Sequence, residues 1–171
     1  MKRGMMFLAG LACGASLVLF LQMFLIAPAV DPVFSPADGD EIIGLIDSAQ
    51  SSIDIEVYVF TSRDVIAALE RARARGVDIR IILEKNVISG HNTQTFLELA
   101  AKGFNVRYAS RAYQLTHSKF IIIDGGTVLV GSHNLSNSAL YENREASVII
   151  RDSAPVREFE DVFETDWSLA A

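Results

Sequence analysis

The sequence of 171 residues contains one cysteine, Cys13, and three histidines, His91, His117 and His133. A single cysteine excludes an internal disulfide. So few cysteines and histidines also argue against a zinc cluster. The sequence has no internal repeat and no low-complexity tract, and its length fits one domain with a substantial core.

Positive charge is also scarce. The chain carries 15 basic and 21 acidic residues, for a formal net charge of −6. Two of the basic residues are Lys2 and Arg3, so the rest of the chain has 13 basic residues against 21 acidic ones. A nucleic-acid-binding surface would therefore have to be a local basic groove.

Charge is almost absent from residues 5–30, where Gln22 is the only strongly polar residue. This run is long enough to cross a bilayer as a helix. Lys2 and Arg3 precede it and acidic residues follow it. The positive-inside rule thus predicts a single-pass membrane protein with an extracytoplasmic domain.

The alternative is a signal peptide cleaved near Ala27-Pro28-Ala29, which would give a secreted or periplasmic protein. The length of the run favours the anchor. We accordingly divide the chain into an anchor or signal segment (residues 1–30), a short linker (31–39) and a folded domain (40–171).

Beyond the linker, hydrophobic periodicity and capping residues predict alternating helices and strands. Helices are expected at 40–51, 62–75, 93–102 and 153–167, and strands at 52–60, 77–83, 105–108 and 146–151. The first of these strands carries Asp54 and Glu56 on its alternate face. The alternation predicts an α/β fold with a mixed, largely parallel central sheet and helices on both faces.

Residues 117–134 (HSKFIIIDGGTVLVGSHN) predict a β-hairpin, because two β-branched runs flank Gly125-Gly126. A two-residue glycine connection between such runs favours a tight turn. If Asp124 pairs with Thr127, Asp124 lies on the opposite face from the polar residues of the hairpin. We expect it to hold the turn.

The same register places four polar side chains on one face. They form two facing pairs, Lys119 with Ser132 and His117 with Asn134. An imidazole, an ammonium group, a hydroxyl and an amide together suit a phosphate group: the imidazole can act as nucleophile or proton carrier, and the others can hold the phosphoryl oxygens.

The spacing His117-x-Lys119-x4-Asp124-x6-Gly131-Ser132-x2-Asn134 resembles the HKD signature of the phospholipase D superfamily. Glu145 matches a glutamate of the small bacterial nucleases with a single motif. The element order from about residue 34 onward resembles those nucleases and their mitochondrial, membrane-anchored relatives, so the resemblance implies a phospholipase D-like fold.

The resemblance also implies phosphodiester hydrolysis through a phosphohistidine, without a metal or another cofactor. It assigns catalysis to His117, Lys119, Ser132, Asn134 and Glu145, and structural roles to Asp124 and Gly131. Because this chain carries one motif where two histidines are needed, we expect a homodimer with a shared active site.

Three functions follow. The first is an endonuclease acting on DNA or RNA, for which Arg107 and Arg111, beside Tyr108 and Tyr113, are candidate substrate-binding residues. The alternative is a membrane-anchored lipid phosphodiesterase of the phospholipase D type. A binding protein with a degenerate site is disfavoured by the intact motif.

Overall fold

The computed structural model describes residues 30–87 and 90–171. These residues form seven strands: β1 (Val30–Phe34), β2 (Ser52–Val57), β3 (Asp78–Leu83), β4 (Asn105–Tyr108), β5 (Lys119–Ile123), β6 (Thr127–Gly131) and β7 (Ala146–Ile150). They also form five helices: α1 (Gly39–Ser48), α2 (Arg63–Ala74), α3 (His91–Ala101), α4 (Asn137–Tyr141) and α5 (Ser153–Leu169).

The seven strands form one mixed sheet in the order β1-β7-β6-β5-β2-β3-β4. Only the pairs β2–β3 and β3–β4 are parallel. The other four described pairs are antiparallel. The prediction of a mixed α/β sheet is confirmed, but the prediction that it is largely parallel is wrong.

The error has a topological cause. The βαβ alternation predicts parallel pairing correctly for β2, β3 and β4, which are joined by α2 and α3. After β4 the chain returns across the sheet, and β5 pairs antiparallel with β2, with Ile55 opposite Ile121. The hairpin β5–β6 and strand β7 then extend the sheet in the antiparallel sense, and the tight turn between β5 and β6 excludes a parallel crossover there.

Strand β1 occupies part of the segment that was predicted to be a linker. Val30–Phe34 forms an edge strand of the sheet, antiparallel to β7. Pro32 is compatible with this position because an edge strand leaves one row of N–H groups unpaired. The side chains of Asp31 and Arg151 form an ion pair that joins the two strands.

Helices cover both faces of the sheet, as predicted. One core contains Ile42 and Ile46 of α1, Leu69 of α2 and Ile55 of β2, together with residues of α3 and α4. The other core lies under α5, where the buried residues are Val156, Phe163, Trp167, Ile82, Phe120, Ile122 and Val128. Both faces of β5 are therefore buried, which explains its continuous apolar sequence.

The turn of the hairpin is formed by Asp124 and Gly125 rather than by Gly125-Gly126. Both have positive φ, 53° and 60°, and the N–H of Gly126 donates to the carbonyl of Ile123. These are the features of a type I′ turn, in which Asp-Gly is a favoured sequence. Ile123 pairs with Thr127, so the loop has three residues, 124–126, and the register differs by one residue from the predicted one.

Within residues 30–87 and 90–171, no helix combines the length and the apolar character needed to cross a bilayer. The predicted anchor or signal segment lies outside the described residues, apart from Val30.

Candidate active site

The polar residues of the two hairpin strands lie at the same end of the sheet. Lys119 is the first residue of β5 and Gly131 is the last of β6. Continuing the observed register places Lys119 beside Gly131, with His117 and Ser132 just beyond the strand ends.

His117 and Lys119 are in direct contact. The Nζ atom of Lys119 donates to the carbonyl oxygen of His117 at 2.6 Å, and it lies 3.1 Å from Nδ1 and 3.3 Å from Nε2 of the imidazole. His117 is exposed, whereas Lys119 is half-buried. The imidazole is thus open to a substrate, with an ammonium group beside it.

The end of β2 connects His117 to Asn134. The ring of Tyr58 packs on the His117 imidazole, with 4.5 Å between ring centroids. The N–H of Val59, the next residue, donates to Oδ1 of Asn134 at 3.2 Å. This contact fixes the orientation of the Asn134 amide and leaves its Nδ2 group as the donor.

Ser132 and Glu145 form the other side of the site. The Ser132 hydroxyl donates to Oε2 of Glu145 at 2.5 Å and accepts from the N–H of Ala146 at 3.0 Å. The Glu145 carboxylate also accepts, through Oε1, a hydrogen bond from the Asn143 amide at 3.1 Å.

Glu145 also acts on Lys119 through its charge. Burial lowers the pKa of Lys119 below its ordinary value, and the negative charge of Glu145 opposes this effect. The two groups are close enough to interact electrostatically, so the carboxylate is placed to keep the ammonium group charged.

Gly131 is required by a close approach of two strands. A Cβ atom at this position would lie 2.3 Å from Oγ of Ser147 and 2.4 Å from the carbonyl oxygen of Ala146. Glycine here lets β6 and β7 approach while Ser132 and Glu145 meet.

Asp124 is a residue of the turn, and its side chain fixes the hairpin to the α1–β2 connection. Its carboxylate accepts hydrogen bonds from the N–H groups of Gln50, Ser51 and Ser52 and from the Ser51 hydroxyl. Burial alone would raise the pKa of Asp124, but these hydrogen bonds hold it below its ordinary value.

His133, between Ser132 and Asn134, points into the core. It is 3% exposed, and its two ring nitrogens lie 2.6 Å from the Ser35 hydroxyl and 2.7 Å from the Ser147 hydroxyl. Burial lowers the pKa of this imidazole. His133 thus joins the segment after β1 to β7.

The two candidate substrate-binding arginines differ in their surroundings. Arg107 stacks on Trp167, 4.1 Å from the ring centroid, and donates to the Trp167 carbonyl. Its guanidinium therefore packs against α5. Arg111 is exposed in the loop before β5.

Sequence reasoning missed the acidic side of the site. A cavity of about 490 Å³ beside His117 and Lys119 is also lined by Glu56, Tyr113 and Asp166. Glu56 is 2% exposed, and its carboxylate accepts a hydrogen bond from the Ser118 hydroxyl. Strand alternation placed Glu56 and Asp54 on one face, but only the packing of α5 shows that this face is buried.

Another buried carboxylate supports the loop that carries His117. Glu84 is 4% exposed, and it accepts from the N–H of Thr116 at 2.8 Å and from the N–H of Asn86 at 2.6 Å. It follows β3 directly, so the parallel half of the sheet helps to position the residue before His117.

Across residues 30–87 and 90–171, no group of three or more histidine, cysteine, aspartate or glutamate side chains is arranged to hold a metal ion.

The fold and these residues define the class of the protein. The chain belongs to the phospholipase D-like family, because the family model described as "Cardiolipin synthase, PLD-like domain" matches residues 42–167. The resemblance drawn from the motif is thereby confirmed.

Individual relatives of the chain are named as a cardiolipin hydrolase and as a probable cardiolipin synthase. The chain is 31% identical over 120 residues to the mitochondrial cardiolipin hydrolase of Mus musculus, covering 70% of this chain and 53% of that protein. It is 31% identical over 143 residues to the probable cardiolipin synthase YwiE of Bacillus subtilis (strain 168), covering 81% of this chain and 28% of that protein. The chain thus spans about half the length of the mitochondrial relative.

Two solved structures extend the comparison. Nuc from Salmonella typhimurium, a phospholipase D family member, matches with a TM-score of 0.78 and 30% identity over 85% of this chain and 97% of its own. NucT from Helicobacter pylori matches with a TM-score of 0.70 and 20% identity over 83% of this chain and 97% of its own, which shows a shared fold.

Proposed function

We propose that this protein is a phosphodiesterase in which His117 is the nucleophile. A ring nitrogen attacks phosphorus, the bond to the leaving alcohol oxygen breaks, and a phosphohistidine forms. Water then attacks the phosphohistidine and releases the phosphate monoester and the free imidazole. The observation that supports this proposal is the exposed His117 imidazole in contact with Lys119 at the mouth of the cavity.

The neighbouring groups suit the charge that develops on the phosphoryl oxygens. The Lys119 ammonium group and the Nδ2 donor of Asn134 can bind these oxygens, as donors placed in advance stabilise a transition state. Glu145 holds Ser132 and helps to keep Lys119 charged. Asp124 and Gly131 shape the hairpin that carries these groups.

We also propose that two chains share one active site. In-line displacement calls for a proton donor at the leaving oxygen, opposite the nucleophile. A two-fold axis through the His117 face would bring the second His117 to that position. The exposure of His117 is compatible with such an arrangement.

Subunit mixing tests the shared site. When wild-type chains and His117→Ala chains exchange at random, activity per total protein should fall as the square of the wild-type fraction. Random exchange is verified with chains carrying two different tags. A linear fall would show independent sites and contradict the proposal.

For the substrate, we propose a nucleic acid, cleaved internally. The resemblance to single-motif nucleases and the match to Nuc over 97% of its length support this choice. Arg111, exposed before the catalytic strand, and Lys119 supply local positive charge on an otherwise acidic chain.

A lipid phosphodiester is the second candidate, and a specific observation favours it. Exposed apolar side chains stand around the cavity, with Tyr113 and Val162 each 50% exposed and Leu115 41% exposed. These could contact acyl chains, and relatives of this chain are named cardiolipin hydrolases.

A substrate panel separates the two candidates. The full chain in detergent is incubated with labelled single-stranded DNA, RNA and cardiolipin vesicles, each with EDTA. We expect internal cleavage of a nucleic acid, abolished in His117→Ala and retained in His91→Ala, which alters an exposed histidine at the start of α3. Release of phosphatidic acid alone would establish the lipid activity, and loss of all activity with EDTA would overturn the phosphohistidine mechanism.

We further propose that residues 5–30 anchor the protein and that the domain lies outside the cytoplasm, as the flanking charges suggest. Protease added to cells with the outer barrier removed should digest residues 31–171. Digestion only after lysis of the inner membrane would contradict this orientation.

A further inference from the structure

Glu56 lies beneath the residue that separates His117 from Lys119. It belongs to β2 and pairs with Phe120 of β5 across the antiparallel ladder. Its Oε1 accepts a hydrogen bond from the hydroxyl of Ser118. This side-chain contact connects the buried sheet to the segment that presents both the imidazole and the ammonium group.

The second oxygen of this carboxylate has no partner. Glu56 is 2% exposed, and Oε2 is buried without a hydrogen bond. A buried carboxylate oxygen in this state is costly, whereas a protonated carboxyl group can use that oxygen as a donor. Asp166 of α5 lines the same cavity and offers a carboxylate as the acceptor.

The charges around Glu56 favour its neutral form. Asp166 approaches from α5 and Tyr113 from the β4–β5 connection, while β3 and β5 place apolar residues, Ile82 and Phe120, beside it. The positive and titratable groups of the cavity, Lys119 and His117, lie on the side where substrate would bind. Burial raises the pKa of Glu56 to about 7, and the charge of Asp166 adds to this effect against the hydrogen bond from Ser118.

We propose that Glu56 is a positioning residue that keeps a proton on Oε2, directed toward Asp166, and through Oε1 holds Ser118 and the His117–Lys119 segment in place. The inference rests on the proposed phosphodiesterase activity. It adds a residue that no part of the motif contains and a reason why the acidic side of the cavity does not repel an anionic substrate.

The proposal has a consequence for substrate binding. With Glu56 neutral, the acid pair carries one negative charge, and a phosphodiester meets chiefly Lys119. As the pH rises through about 7, loss of the proton adds a second negative charge to the cavity. The KM for an anionic diester should then rise, by roughly tenfold for each unit by which the bound diester raises the pKa of Glu56.

Glu56→Gln tests the proton directly. The glutamine oxygen can accept from Ser118 and its amide can donate to Asp166, which reproduces the bonds of the neutral acid at every pH. With bis(4-nitrophenyl) phosphate as the probe, we expect kcat/KM at pH 6 within about threefold of wild type and no rise in KM up to pH 8.5. Glu56→Ala, which leaves Ser118 without this partner, should lose at least tenfold in kcat.

The matched control is Glu164→Gln, which removes an exposed carboxylate of α5 that pairs with Arg80. It should keep the pH profile of wild type. If folded Glu56→Gln loses as much activity as Glu56→Ala, or if its pH profile equals that of wild type, the proposal is overturned.

A second measurement does not depend on activity. In the full chain with ¹³C-labelled glutamate, the carboxyl signal that disappears in Glu56→Gln should titrate with a midpoint near pH 7. A midpoint at the ordinary value for glutamate would overturn the proposal. A chain that shows this titration but cleaves no diester would instead disprove the phosphodiesterase function alone.

Discussion

The two halves of the sheet are built differently and contribute differently to the site. Strands β2, β3 and β4 are parallel and are joined by α2 and α3. Strands β5, β6, β7 and β1 pair in the antiparallel sense, with a tight turn between β5 and β6 and a segment that contains α4 between β6 and β7. The motif residues come from the antiparallel half. The parallel half supplies buried carboxylates, Glu56 and Glu84, that hold the loop before β5.

The halves meet where β2 pairs in parallel with β3 and antiparallel with β5. The site forms beside this seam, since Tyr58 and Val59, directly after β2, contact His117 and Asn134. We infer that the parallel half supports the loop before β5 and that the antiparallel half provides the proposed catalytic groups. The predictions below test this division.

The largest effect should follow from removing the hairpin chemistry. His117→Ala should abolish turnover, and Lys119→Ala or Asn134→Ala should lower kcat by at least about a hundredfold, because each removes a group that binds transition-state charge. Steady-state kinetics on the best substrate measure these losses, with circular dichroism to confirm folding. An active His117→Ala enzyme would show that the antiparallel half does not supply the nucleophile.

Two glycine substitutions compare the packing between β6 and β7 with the packing around α1. Gly131→Ala should destabilise the protein by about 3 kcal/mol, because its Cβ would overlap β7. Gly44→Ala, in α1, meets no atom within 4 Å and should stabilise by up to about 1 kcal/mol through helix propensity. Urea unfolding at constant m-value measures both. Equal effects would show that β6 and β7 can separate without cost.

Glu56→Gln tests the buried carboxylate of the parallel half through the pH dependence of stability. The folded-state pKa of Glu56 is about 7 against an ordinary value of 4.5. Its contribution to wild-type stability is therefore fully present below pH 4.5 and is lost as the pH rises to about 7. At pH 8 the variant should be more stable than wild type by about 2–3 kcal/mol, since each pKa unit corresponds to about 1.4 kcal/mol. Denaturant titrations of both proteins at pH 4.5 and pH 8 check this. If the stability of the variant relative to wild type is the same at both pH values, the prediction is contradicted.

Asp124→Asn should have a smaller effect, about 1–2 kcal/mol, because asparagine tolerates the positive φ but loses one acceptor for the N–H groups of Gln50, Ser51 and Ser52. The pKa of Asp124 is lowered in the fold, so its stabilisation is present above its ordinary value of 3.8 and is lost as the pH falls below it. Thermal unfolding at pH 7 and pH 3 should show the difference between variant and wild type shrinking in acid.

Local sequence patterns predicted much of the fold because helix caps and apolar periodicity act within a few residues. Strand β4 has the predicted bounds, and α2 and α5 lie where helices were predicted, at 62–75 and 153–167. The direction of β5 was not predictable in this way. It depends on a pairing with β2 that lies more than sixty residues away in the chain.

Two errors have specific physical causes. The hairpin register shifted by one residue because Asp124, and not only glycine, adopts positive φ when its carboxylate is bonded to the α1–β2 connection. Strand β1 was missed because five residues that include Pro32 become a strand only when β7 offers an edge.

The proximity of the candidate site residues was predictable from the sequence, whereas their surroundings were not. The spacing of His117, Lys119, Ser132 and Asn134 is a local feature, and the structure brings these residues to one end of the hairpin. The partners of Glu56 were not predictable, since Ser118 and Asp166 come from separate elements that meet only after α5 packs on the sheet.

The position of β1 also has a consequence for folding during synthesis. Asp31 of β1 and Arg151, which follows β7, form their ion pair across 120 residues of chain. A ribosome adding roughly 5–20 residues per second needs on the order of ten seconds to make that stretch. Among the described strands, the first to be synthesised, β1, therefore waits for the last, β7. During that interval the edge of the unfinished sheet is open to other chains.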